Sequence, residues 1–320
     1  MPHLSFPDFL QSHPCILGEG AVIERLRRQP ATILDPQLVN SAFVYDEVGR
    51  SNLEAIYGDY LQIGRDHQLP MILTAPTWRA NAANIAAAGC AHRPVNADNL
   101  QLLHNLRAQT GAYAHQVMIG GLIGCRGDAY RPDEALSTDQ AREFHGWQSH
   151  QLVKGSADFL LGITLPALCE AIGLAAAMAD THCPYLISFV VRPTGTLLDG
   201  TSLIDAISTI DAQVCPVPTG YLINCTHPDL ARSALFHPVN SSNTVRQRII
   251  GLLANTAALS PEELDGREDL VETEPIHFAK AMLELHRRPG LKILGGCCGT
   301  DDRHIRALAG LLAQAYRPKS

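Results

Sequence analysis

Three cysteines stand where chemistry could follow. Cys225 ends the apolar run Tyr221-Leu222-Ile223-Asn224, and the adjacent pair Cys297-Cys298 lies in Gly295-Gly296-Cys297-Cys298-Gly299-Thr300, after the apolar run 291–294. If the two runs are strands six and eight of one closed sheet, all three sulfurs emerge at the same rim. Alternate strands share interior layers, so the long gap between them is no obstacle. The glycines permit the backbone angles and close approach that two adjacent cysteines aimed at one point require. Three thiolates suit zinc, and three protein ligands leave a fourth position for substrate. A thiol bound there loses its proton and becomes a nucleophile near neutral pH, which is the chemistry of alkyl transfer to sulfur. The same residues admit a plainer reading as small side chains at a crowded turn, inert or redox-active. Spacing alone does not separate the two.

The other cysteines call for less. Cys90, Cys169, Cys183 and Cys215 lie in Ala- or Pro-rich surroundings and are expected to be small buried hydrophobes, while Cys15 and Cys125 sit near strands and should pack in the core. His227, two residues past Cys225, is expected at the surface at a helix start, and no histidine is given a metal role. Asn224 is expected to orient the cysteine turn through its amide. Asp128 and Glu134 fall in a polar loop and should be solvated.

The elements that must position these residues follow from the apolar pattern. Short continuous apolar runs at 15–17, 71–73, 116–119, 159–163, 185–191, 221–224, 249–253 and 291–294 predict parallel strands buried on both faces. Helical patterns occupy 51–67, 138–155, 168–180, 202–211, 229–235, 275–286 and 301–315. In the last, Ile305, Leu308, Leu312 and Ala315 form one apolar face, and Thr300 is expected to cap the first turn. Leu203, Ala206, Ile207 and Ile210 repeat the pattern in the 202–211 helix. Eight strands alternating with helices predict a single (β/α)₈ TIM barrel over residues 1–320. An open doubly wound sheet is the alternative, but no GxGxxG loop follows the first strand. The long connection 21–69 is expected to build over the C-terminal face, and the polar stretch 237–244 to cover the same face.

Composition bounds the partners. The chain has 320 residues, 46% of them hydrophobic and 18% charged, enough for a large core and too little charge for disorder. A net charge of -7 argues against nucleic acid, and no run reaches the length of a membrane span. No signal pattern opens the chain, and nine cysteines, an odd number, do not read as a secreted disulfide framework. A cytoplasmic protein acting on small molecules is the expectation, with a homo-oligomer left open.

At these residues the sequence resembles the zinc-dependent homocysteine S-methyltransferase family. The resemblance rests on Gly295–Thr300, on Asn224-Cys225-Thr226, and more loosely on Glu19-Gly20-Ala21, Thr164-Leu165-Pro166, Ser188-Phe189, Asp199–Leu203 and His304–Leu308. It implies a (β/α)₈ barrel with zinc on Cys225, Cys297 and Cys298 and homocysteine as the thiol acceptor, methylated to methionine by a sulfonium or quaternary ammonium donor. It also implies substrate contacts at Glu19, Gly20, Thr164, Asn224 and Asn255. Several positions depart from the family. Its first-strand Asp is Glu19 here, its following Gly-Thr is Ile23-Glu24, and its Glu before the fourth-strand Thr is Ile163. That last change removes the carboxylate expected to hold the amino group of homocysteine. Where the family shows Thr-Asn-Thr-Tyr, this chain has Trp78 and Arg79, residues suited to a cationic donor and to a carboxylate respectively. The alternatives are the same zinc–thiolate chemistry on another thiol, or a barrel that senses zinc or thiols without catalysis.

Overall fold

The computed structural model describes residues 4–29, 32–259 and 273–316. Eight parallel strands close into a barrel in chain order. They are β1 (Ile16–Gly18), β2 (Met71–Thr74), β3 (Val117–Gly124), β4 (Phe159–Leu165), β5 (Tyr185–Phe189), β6 (Gly220–Thr226), β7 (Ile249–Ala254) and β8 (Ile293–Gly296). Closure comes from β1 against β8, with Ile16 beside Ile293 and Leu17 beside Leu294. All eight expected strands are present with ends shifted by a few residues. Nearly every strand residue is buried, as a parallel sheet wrapped in helices requires.

The helices are α1 (Phe6–Ser12), α2 (Ile23–Arg27), α3 (Glu47–His67), α4 (Ala82–Ala87), α5 (Val95–Gln109), α6 (Thr138–Lys154), α7 (Leu168–Ala179), α8 (Leu203–Gln213), α9 (Pro228–Phe236), α10 (Asn243–Arg248), α11 (Pro275–Arg287) and α12 (Asp302–Tyr316). The sequence pattern missed α5 because its inward face is partly polar. Asn96 and Asn99 are buried and spend their amides on the carbonyls of Ala80 and Ser41. Two cores result. One lies between barrel and helices. The other fills the barrel interior, where Phe6 of α1 stacks on Phe159 at 4.1 Å and closes the N-terminal end. What remains open is the C-terminal end.

Several expectations change at the level of single residues. Asp301, not Thr300, caps α12, accepting from the amides of Arg303 at 3.0 Å and His304 at 3.4 Å. Thr300 is freed to brace the cysteine turn. Ile305, Leu308 and Leu312 are buried as expected, but Ala315 is exposed. Cys15 and Cys125 are core residues, whereas Cys169 and Cys215 are exposed rather than buried. His227 starts α9 as expected, but it is buried, its Nδ1 accepting from the Asp229 amide at 3.2 Å.

Candidate active site

The two sulfur-bearing turns meet at the open end of the barrel. Cys225 Sγ lies 2.7 Å from Cys297 Sγ, and Cys297 Sγ lies 4.0 Å from Cys298 Sγ. All three sulfurs fall within 4.8 Å of one another. Thiolates around a tetrahedral zinc stand about 3.8 Å apart at Zn–S bonds of about 2.3 Å, a spacing these separations bracket. The donor set therefore fits a soft divalent metal. Hydrogen bonds from Cys225 and Cys298 pull the Cys297 thiol well below its ordinary value, and those to Cys297 and Cys298 push Cys225 well above it. Sulfurs this close resist carrying more than one negative charge unless a cation shares the site, because like charges disfavour one another's ionisation.

Local backbone sets this geometry. Cys225 has φ +49° and sits at a register irregularity of β6 against β7 between Asn224 and Thr226. Thr164 near the end of β4 has φ +61° and lies in a similar irregularity between Gly162 and Leu165. Left-handed backbone at non-glycine residues costs about 1–3 kcal/mol and persists only where the surroundings hold it. Asn224 supplies that hold. It is fully buried, and its Oδ1 accepts from the Thr164 amide at 3.1 Å and the Ser188 hydroxyl at 2.7 Å, linking β4, β5 and β6.

The second turn is braced from both sides. Thr300 Oγ1 donates to the Cys297 carbonyl at 2.7 Å and accepts from the Ala21 amide at 3.0 Å. The Cys297 amide donates to Ala254 O at 2.7 Å, and the Thr256 amide to Cys298 O at 3.1 Å. Gly299 has φ +81°, and a Cβ there would meet Thr256 Oγ1 at 1.9 Å. Only glycine fits.

A cavity of about 330 Å³ opens over the sulfurs. Its wall includes the expected residues Glu19, Gly20 and Thr164, together with Ile163, Leu122 and Trp78. Asn224 and Asn255 do not line it. Both are buried behind the wall, and the Asn255 side-chain amide has no hydrogen-bonding partner among the described residues. The connection 21–69 contributes α2 and Asn40 to the wall, whereas 237–244 contributes nothing to it. Glu19 accepts from the amide and hydroxyl of Thr74 at 2.9 and 2.5 Å. Burial nonetheless pushes its carboxyl up to about 8. Among the described residues Arg79 meets no carboxylate. Its guanidinium lies 4.2 Å from the Trp78 ring centre and donates to the carbonyls of Cys125, Arg126 and Gly127, so one face of the indole is already covered by the chain's own cation.

Two residues in this site were given no role by the sequence. Glu24 of α2 lines the cavity and accepts from the Gly299 amide; burial and then the negative charge of Cys298 raise its carboxyl. Tyr130, from the polar loop after β3, lines the cavity and packs on the cluster of Val190, Leu198 and Cys225; the neighbouring Cys225 sulfur, followed by burial, holds its hydroxyl well above its ordinary value. In the same loop Asp128 and Glu134 are exposed, as expected, yet also accept from loop amides.

Among the described residues no helix is long and apolar enough to cross a membrane. The homocysteine S-methyltransferase family model matches residues 16–312. The chain is 24% identical to a methionine synthase of Mycobacterium tuberculosis over 99% of its own length but only 26% of that relative, so it spans about a quarter of that protein. It is 23% identical to homocysteine S-methyltransferase YbgG of Bacillus subtilis, covering 94% of this chain and 95% of the relative. The solved structure of the metallated homocysteine methyltransferase MmuM from Escherichia coli superimposes with TM-score 0.75 at 21% identity, covering 95% of this chain and 98% of that one, and shares its fold. With the family model running from β1 into α12, the chain belongs to the homocysteine S-methyltransferase family.

Proposed function

We propose that Cys225, Cys297 and Cys298 hold a zinc ion, and that the chain moves a methyl group from a sulfonium or quaternary ammonium donor to the thiol of homocysteine, giving methionine. The observation that carries this reading is the convergence of three sulfurs within 4.8 Å at a cavity of about 330 Å³. Bound there, zinc would supply the positive charge that keeps an acceptor thiol deprotonated near neutral pH. The remaining work belongs to the chain. A new S–CH₃ bond forms as the donor's S–CH₃ or N–CH₃ bond breaks, and a neutral thioether or amine leaves. Glu19 at the end of β1 is an acidic group available to a substrate ammonium, with Glu24 further along the same side and Gly20 and Thr164 fixing the neighbouring wall. Leu122, Ile163 and Trp78 keep that wall apolar and exclude water from the reacting sulfur. Asn224 and Asn255 act from behind it. The reading takes residues 1–320 as one barrel acting on small molecules in the cytoplasm, where its nine free cysteines suit a reducing compartment.

A second reading, methyl transfer to a different thiol, is favoured by one observation. Ile163 presents an alkyl group to the cavity, and both oxygens of Glu19 are already bonded to Thr74. The test is a screen of the zinc-loaded chain with homocysteine and separate sulfonium and quaternary ammonium donors, read by mass spectrometry. Methionine supports the first reading. Methylation of another thiol with no methionine from any donor supports the second.

A further inference from the structure

We infer that Tyr130 is a positioning residue of the sulfur cluster, its hydroxyl donating to the Cys225 sulfur, and that the buried Glu170–His145 pair holds it there through the β3–α6 loop. The inference rests on the metal reading above and adds residues outside the three-cysteine motif.

Tyr130 packs against the small cluster of Val190, Leu198 and Cys225, the same cluster that Cys297 and Cys298 pack against. The residue lines the cavity together with Cys225, Cys297 and Cys298, which places its side chain on the same wall as the sulfurs. A loop carrying such a contact has to be fixed, because it has no strand neighbour to define its path. Glu170 of α7 does this from below. One of its oxygens accepts from the Arg126 amide at 2.6 Å, where the loop leaves β3; the other accepts from the Leu136 amide at 3.3 Å, where the loop approaches α6. His145 Nε2 of α6 lies 3.0 Å from Glu170 Oε1, and both side chains are wholly buried. A carboxylate is costly to bury unless its lone pairs are used, and here two of the three partners are loop amides. Inside the loop, Asp128 Oδ1 accepts from the Tyr130 amide at 2.8 Å, and Glu134 accepts from the Asp128 amide at 3.1 Å. The loop is thus pinned at both ends and beside the tyrosine.

An O–H···S bond disperses the charge of a thiolate and fixes the direction of its lone pairs. Partners one step removed from a metal typically change affinity 10–100-fold when lost. Tyr130→Phe removes one oxygen and keeps the packing. The test compares wild type, Tyr130→Phe, Glu170→Gln and the double variant, each as the full chain. Zinc affinity is read by chelator competition, and the sulfur-to-metal charge-transfer band is read on cobalt-loaded protein. Tyr130→Phe is expected to keep the circular dichroism of the wild type, hold zinc about 10–100-fold more weakly and shift the band. Glu170→Gln should act in the same direction, with the double variant losing less than the two single losses combined. Equal zinc affinity and an unshifted band in Tyr130→Phe would overturn the role of Tyr130, and strictly additive losses would overturn that of Glu170. Should Glu170→Gln not fold, Tyr130→Phe alone decides. A wild-type chain that holds no zinc would overturn the underlying metal reading, an outcome visible before any variant is compared.

Discussion

Glu19→Gln should remove a pH dependence of stability that the wild-type chain carries. Glu19 lines the cavity, and among the described residues no cation pairs with it. Burial raises its carboxyl from 4.5 to about 8, against the opposing pull of the Thr74 hydroxyl and amide. The folded chain therefore binds this proton more tightly than the unfolded chain. The resulting stability is complete below about pH 4.5 and is lost as the pH rises through about 8. The whole span corresponds to roughly 5 kcal/mol at about 1.4 kcal/mol per pH unit. Of that span, about 2–3 kcal/mol falls between about pH 5.5 and about pH 7.5, the range in which the folded chain stays largely protonated and the unfolded chain does not. Glutamine keeps the shape and cannot ionise, so the variant lacks this slope. The assay is denaturant unfolding of both proteins across that range, with chelator present to remove metal linkage. Wild-type stability should fall relative to the variant as the pH rises. Parallel profiles would refute the reasoning, because they would mean that Glu19 is as well solvated folded as unfolded.

Three further outcomes are expected. Asn224→Ala leaves the Thr164 amide and the Ser188 hydroxyl without an acceptor in a buried site, and should cost about 2–4 kcal/mol in denaturant unfolding; a loss under about 0.5 kcal/mol would show that the strained strand ends hold without it. Gly299→Ala forces a Cβ onto Thr256 at a left-handed position, so zinc binding by the turn should weaken at least tenfold; wild-type zinc affinity would show that the turn yields freely. Ile163→Glu places a carboxylate in the cavity wall and should tighten homocysteine binding by about tenfold, consistent with about 1.5 kcal/mol for a hydrogen bond to a charged group. Unchanged binding in a calorimetric titration would place the amino group elsewhere.

Much of this was legible in the sequence, and the reasons are physical. Parallel strands buried on both faces must be continuous apolar runs, so all eight could be read. The glycines around Cys297 and Cys298 marked a turn that no other residue tolerates, as Gly299 demonstrates. What stayed hidden depends on tertiary neighbours. A left-handed Cys225 or Thr164 looks like any strand residue, because the conformation at Thr164 is held by Asn224 from β6, two strands away, just before Cys225. Tyr130 lies in a polar loop whose path is set by Glu170, far along the chain and indistinguishable from a surface glutamate until α6 and α7 pack. α5 escaped because buried Asn96 and Asn99 interrupt its apolar stripe. Thr300 and Asp301 are both competent caps, and the choice between them was decided by the demand of the cysteine turn for Thr300.

The central claim, that three cysteines hold a metal with a position open to the acceptor thiol, is tested most directly by X-ray absorption at the zinc edge. The zinc-loaded chain should show three sulfur neighbours at about 2.3 Å, rising to four when the acceptor thiol is added. A chain that binds no zinc, or whose zinc keeps the same neighbours with and without thiol, would contradict it.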